Sequence, residues 1–86
     1  MAEIVRFEAL AFDLVDGDLT DSQLVDCRTP AAAIQAAQGQ WKVFGHVGAV
    51  ALSRTSYIGE AKPARRHVLR RFGQVPDQYL GESVDD

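Results

Sequence analysis

The chain has one cysteine, Cys27, so no disulfide can form within it. That usage suits a reducing compartment, and the expected location is cytoplasmic. No apolar run approaches the ~20 residues needed to cross a bilayer. The start "MAEIVRFEAL" has no basic segment followed by an unbroken apolar one, so no signal peptide is expected. There is no CxxC or HxxxH pair, and His46 and His67 lie far apart, which leaves no ligand set for a metal. "GHVG" lacks the Lys-Ser/Thr of a P-loop and the third glycine of a dinucleotide motif, so no phosphate cradle is read there. "DLVDGDLTD" lacks the alternating ligands and closing glutamate of a calcium loop, and its aspartates read as turn formers. No cofactor is expected.

Charge is missing in blocks. Residues 29–59 hold no acid and residues 72–86 hold no base. The seven acids of residues 1–28 and the five bases of residues 60–71 therefore stand apart in a chain of net charge -3. Blocks of this kind either pair in the fold or polarise the surface and steer a charged partner.

What remains is a globular composition. Of 86 residues, 47% are apolar and 24% charged, which is not the balance of a disordered chain. The length suits one domain, read as 1–86 with an acidic tail frayed from about residue 81. A chain this short buries about 60–65% of its unfolded surface, so its core is small.

"EIVRFEALAFDLV" reads as extended. Val5, Phe7 and Ala9 fall on one parity, and Leu10, Phe12 and Leu14 on the other. That change of phase predicts a bulge or bend near Ala9 and Leu10. "DGD" at 16–18 supplies a turn, and "QLVDCR" at 23–28 a second short strand, joined to the first by a somewhat loose connection.

"TPAAAIQAAQGQWKVFG" is the clearest local signal. Thr29 can cap the exposed amides and Pro30 suits the first helical position. Ile34, Ala37, Trp41 and Phe44 make one apolar face. Gly45 is the better stop, and an end at Gly39 is the alternative. Trp41 reads as a core residue and His46 as a loop residue. "HVGAVALSRT" is a third strand, with Val47, Ala49 and Ala51 on one face and Val50 and Leu52 on the other. Its small residues let the helix sit close. "SYIGEAKP" reads as a loop.

"KPARRHVLRRFG", 62–73, holds five of the nine basic residues. As a helix it has no acceptor cap, opens on cations at its positive end and repeats Arg66 and Arg70 at a repulsive spacing. As a strand, Val68 and Phe72 point one way, Leu69 the other, and arginines stand on both faces. That suits a charged edge strand, and strand is the preferred reading. The rest looks like a loop with a turn from Pro76 to Leu80. The fold class is thus α+β: ββαββ along the chain, a small antiparallel sheet with one main helix packed on one face.

Cys27 with His46 or His67 is the only Cys/His pairing open to nucleophilic catalysis. Cys27 sits in an apolar strand context, where a buried inert thiol is the usual role. The chain is read as a non-enzymatic interaction protein. Arginine and tyrosine are favoured interface anchors, which makes Tyr57, Arg65, Arg66, Arg70 and Arg71 the expected partner-binding residues. The partner is read as a protein or ribonucleoprotein. The alternative is a small nucleic-acid-binding regulator using residues 62–71. If all five cations met phosphates on duplex DNA, log K would fall with log salt at a slope of about -4 to -5.

With its helix running into "FGHVGAVALSR", the chain is similar in size and element order to some anti-CRISPR proteins. These pack one helix on a small antiparallel sheet. The resemblance implies a phage or mobile-element inhibitor that blocks a host nucleoprotein complex by surface contact.

Overall fold

The structure, a computed structural model, describes residues 2–59 and 64–80. Strands β1 (Ala2–Val15) and β2 (Asp18–Cys27) form a hairpin closed by Asp16 and Gly17. Both turn residues take positive φ, 52° and 85°. This is the two-residue turn whose twist matches the strands it joins, and glycine enters it without a Cβ penalty. The connection is therefore tight rather than loose, and β2 starts at Asp18 rather than residue 23.

Helix α1 (Pro30–Lys42) follows, with the Thr29 hydroxyl accepting from Ala32 N at 3.0 Å and proline in the first turn. It ends at Lys42, neither at Gly39 nor at Gly45. Gly39 stays inside, and its carbonyl accepts from the amides of both Val43 and Phe44. Phe44, expected on the buried face, lies past the helix and is 74% exposed. The residues that α1 buries fully are Ala33, Ala37 and Gln40. Trp41, expected in the core, is instead 40% exposed and stacks on Phe72, ring centroids 5.8 Å apart.

Strand β3 (Gly48–Ile58) absorbs Ser56, Tyr57 and Ile58, which read as loop from the sequence. Strand β4 (Arg65–Gly73) is a strand, as preferred. The predicted turn near Pro76 is a short helix, α2 (Asp77–Leu80). Lys62 and the tail beyond Leu80 lie outside the described residues.

All neighbouring strands pair antiparallel, in the sheet order β2-β1-β3-β4. The central strands have two buried faces, which explains the two-parity pattern of β1. Toward α1 face Ala9, Ala49 and Ala51, fully buried against Ala33 and Ala37, with Phe7, Val25, Ile34, Leu69 and Phe72 around them. Alanine on both sides brings helix and sheet close. The opposite, open face carries Leu10, Phe12, Val50, Leu52 and Val68, capped by Val75 and Tyr79. Each large side chain buried there contributes about 1.5–3 kcal/mol. No bulge forms at Ala9 and Leu10: β1 pairs with β3 without a break from Ala2 to Phe12. The irregularity lies at Ala11/Phe12 against β2, where Ser22 is the extra residue.

A second bulge sits in β4. Ala51 pairs with Arg70 and Leu52 with Val68, so Leu69 is extra. Past it the strand changes phase. Val68 faces the open side, while Phe72, opposite Ala49, faces α1 together with Leu69. The expectation that Val68 and Phe72 share a face fails for this reason.

Candidate functional site

β4 is an edge strand, and its register decides where each arginine points. Arg65 pairs with Thr55 and Arg70 with Ala51, which places both on the α1 side. Arg66 pairs with Arg54 and Arg71 with Val50, which places both on the open side. Tyr57 stands two residues beyond Thr55 on β3, on the α1 side, half-buried and opposite Glu3. The five predicted contact residues are thus divided: Tyr57, Arg65 and Arg70 on one side, Arg66 and Arg71 on the other.

The second pair holds the C-terminal segment. Arg66 Nη1 donates to the Tyr79 hydroxyl at 3.3 Å, and its guanidinium lies 5.4 Å from the ring centroid. Arg71 Nη1 donates to the Tyr79 carbonyl at 3.2 Å. Tyr79 in turn packs on Phe12, ring centroids 5.5 Å apart. Two of the predicted docking arginines therefore fasten the cap of the open-face core. Arg65 and Arg70 are exposed and have no hydrogen bond or ion pair among the described residues.

The register brings in two further arginines, neither of them in the basic stretch 62–73. Arg6 pairs with Arg54, and Arg54 pairs with Arg66, so three guanidinium side chains form a row across β1, β3 and β4 on the open face. Beside the row lies Glu8, only 4% exposed, with Oε1 at 3.4 Å from Arg54 Nη2. This contact is an ion pair whose geometry falls short of a hydrogen bond, and Arg54 Nε is buried without an acceptor. A groove of about 360 Å³ opens next to it, lined by Leu10, Asp21, Leu24, Arg54, Arg66 and Tyr79 among others. No single stretch of sequence signals this row. Its members are 48 and 12 residues apart, and only the strand pairing aligns them.

His46, in the loop after α1, places Nδ1 3.1 Å from both carboxylate oxygens of Asp13. With the Val47 amide donating to the Phe12 carbonyl at 3.1 Å, it ties that loop to β1. The Ser22 hydroxyl and then His46 hold the Asp13 carboxyl below its ordinary range. Cys27 is half-buried against the α1-side cluster, with Sγ 3.7 Å from the Val25 carbonyl. Burial, and secondarily Asp26, pushes its thiol pKa up, away from the reactive thiolate. Among the described residues no group of three His, Cys, Asp or Glu is placed to hold a metal ion, and no helix is long and apolar enough to cross a membrane. No family model matches the chain, and neither a curated protein nor a solved structure shows significant similarity to it.

Proposed function

We propose that this chain is a non-enzymatic interaction protein that docks a macromolecular partner along the α1 side of β4. One observation carries the reading: Arg65 and Arg70 project from an edge strand, exposed, with Tyr57 on the same side. Arginines tied into the fold would have found acceptors, as Arg66 and Arg71 do on Tyr79. A long charged edge also resists pairing with other strands, which favours side-chain recognition over strand addition. The most concrete version is a phage or mobile-element inhibitor of a host nucleoprotein complex of the CRISPR type. Its support is the similarity in size and element order to anti-CRISPR proteins.

The test is a pull-down from host lysate with the wild-type chain and with Arg65→Glu plus Arg70→Glu. The pair removes the recovered partner if the α1 side of β4 is the docking surface. Equal recovery by both proteins sinks that surface. Partner identity from the recovered band decides the CRISPR version.

A further inference from the structure

The row Arg6–Arg54–Arg66 is costly to the fold. Like charges directly opposite on neighbouring strands are destabilising, and here two such pairs are adjacent. Neighbouring strands are ~4.8 Å apart, so the row spans about 10 Å. The carboxylate in contact with it is Glu8, nearly buried and shared by geometry with Arg54 alone. Arg6 is exposed and has no hydrogen bond or ion pair among the described residues. Positive charge therefore remains along the row itself, while Asp21 and Asp26 stand toward β2 on the same face.

The surroundings say what kind of anion fits. α2 and Val75 cap the part of the open face near β4, but the part near β2 is bare: Leu24, opposite Leu10, is 53% exposed. Leu10 and Leu24 give the groove an apolar floor, Arg54 and Arg66 a cationic wall and Tyr79 a further wall, with Asp21 lining it from β2. A ligand matching this has carboxylates beside a leucine-sized side chain. Single-stranded nucleic acid matches it poorly. The aromatic rings of this face, Phe12 and Tyr79, are 0% and 3% exposed, so they offer no stacking platform. Asp21 and Asp26, toward β2 on the same face, oppose a continuous phosphate backbone, whereas a peptide can confine its carboxylates to the row.

We propose that the open face binds an acidic peptide segment of a partner protein, its carboxylates on Arg6, Arg54 and Arg66 and an apolar side chain in the groove between Leu10, Leu24 and Tyr79. Arginine suits this role because its planar fork meets a carboxylate through two parallel bonds. The site is separate from the α1 side of β4 and stands whether or not Arg65 and Arg70 dock a partner.

The experiment is fluorescence anisotropy at low ionic strength with three labelled probes. These are a short peptide of glutamates interrupted by leucines, its glutamine counterpart, and a single-stranded oligothymidylate of equal charge. The acidic peptide binds, and the other two bind at least about tenfold more weakly, the scale of one charge-assisted contact. Arg6→Glu weakens the acidic peptide about tenfold or more by the same measure. Arg54→Gln acts in the same direction but strips the buried Glu8 of its cation, so its folding is checked by circular dichroism. Arg6→Glu, on an exposed side chain, carries the decision. Glu8→Gln raises the charge of the row and tightens binding, an effect that a purely structural role for Glu8 would not give. Arg65→Glu plus Arg70→Glu leaves peptide affinity within about twofold, which keeps this result distinct from the pull-down. The proposal is overturned by absent binding, by equal affinity for the glutamine peptide, by preference for the oligonucleotide, or by indifference to Arg6→Glu.

Discussion

Reversing the arginines of β4 two at a time separates those that hold the fold from those free to dock. Arg66→Glu plus Arg71→Glu removes the bonds to the Tyr79 hydroxyl and carbonyl, at 3.3 and 3.2 Å, and the guanidinium over its ring. A hydrogen bond from a charged donor contributes about 1.5–3 kcal/mol, and these long ones fall at the low end. The ring contact adds about 0.5–1 kcal/mol, since the Arg66 side of it is exposed. The pair should therefore cost about 3.5–4 kcal/mol. For a domain of this size that is a fall in melting temperature of about 15–30 °C. Arg65→Glu plus Arg70→Glu breaks no hydrogen bond or ion pair among the described residues and should stay within about 0.5 kcal/mol. Urea titration followed by Trp41 fluorescence measures both. Trp41 is the chain's one tryptophan, and it stacks on Phe72 on the α1 side, away from Tyr79. Equal losses for the two pairs would refute the division of the arginines between structure and docking. So would a stable Arg66→Glu plus Arg71→Glu protein.

Three other outcomes follow from the geometry. A Cβ on Gly48 would lie 1.7 Å from the Gln74 carbonyl oxygen, so Gly48→Ala must push apart β3 and the segment leaving β4; a loss above about 2 kcal/mol in the same urea assay is expected, the scale of overpacking against backbone. Because the Asp13 carboxyl is held below its ordinary 3.8, its contribution is present above that pH and fades as pH falls through the lowered value; the stability gap between wild type and Asp13→Asn should be constant near neutrality and close in acid, and a gap that widens in acid contradicts the sign. In gel shifts at low salt, no duplex binding is expected. A shift with a log–log salt slope of about -2 would mean that Arg65 and Arg70 meet phosphates and would favour the nucleic-acid reading.

Where one stretch of chain carries its own instructions, the fold was legible. Thr29 and Pro30 mark the start of α1 because cap and first turn are local chemistry. The lack of a cap before Arg65, with cations where the helix dipole is positive, correctly disfavoured a helix for β4. Phe44 continues the apolar spacing and so points to a later end for α1, although the chain turns away to deliver His46 to Asp13. Tyr57 reads as loop from the sequence because its strand is justified only by pairing with Glu3, far away in sequence. The same distance hid Arg6 and Arg54. A row across three strands has no signature in any one of them, and it appears only when register is known.

The spacing of the arginines acquires its meaning from one residue. Arg66 and Arg71 are five positions apart, an odd number, so in a regular strand they would point to opposite faces. Leu69, inserted in β4 between the residues opposite Leu52 and Ala51, reverses the phase and brings both onto Tyr79. The same step sends Arg70 to the α1 side with Arg65 and turns Phe72 onto Trp41. A regular β4 that kept Arg66 in place would direct Arg71 toward α1 and Phe72 into the open face, losing one clasp on Tyr79 and the ring stack together. The bulge also twists an edge that would otherwise offer a flat line of amides to other strands. Its position thus does three things at once: it seals the open-face core at the β4 end, completes the α1-side core at Phe72, and leaves two arginines without internal work.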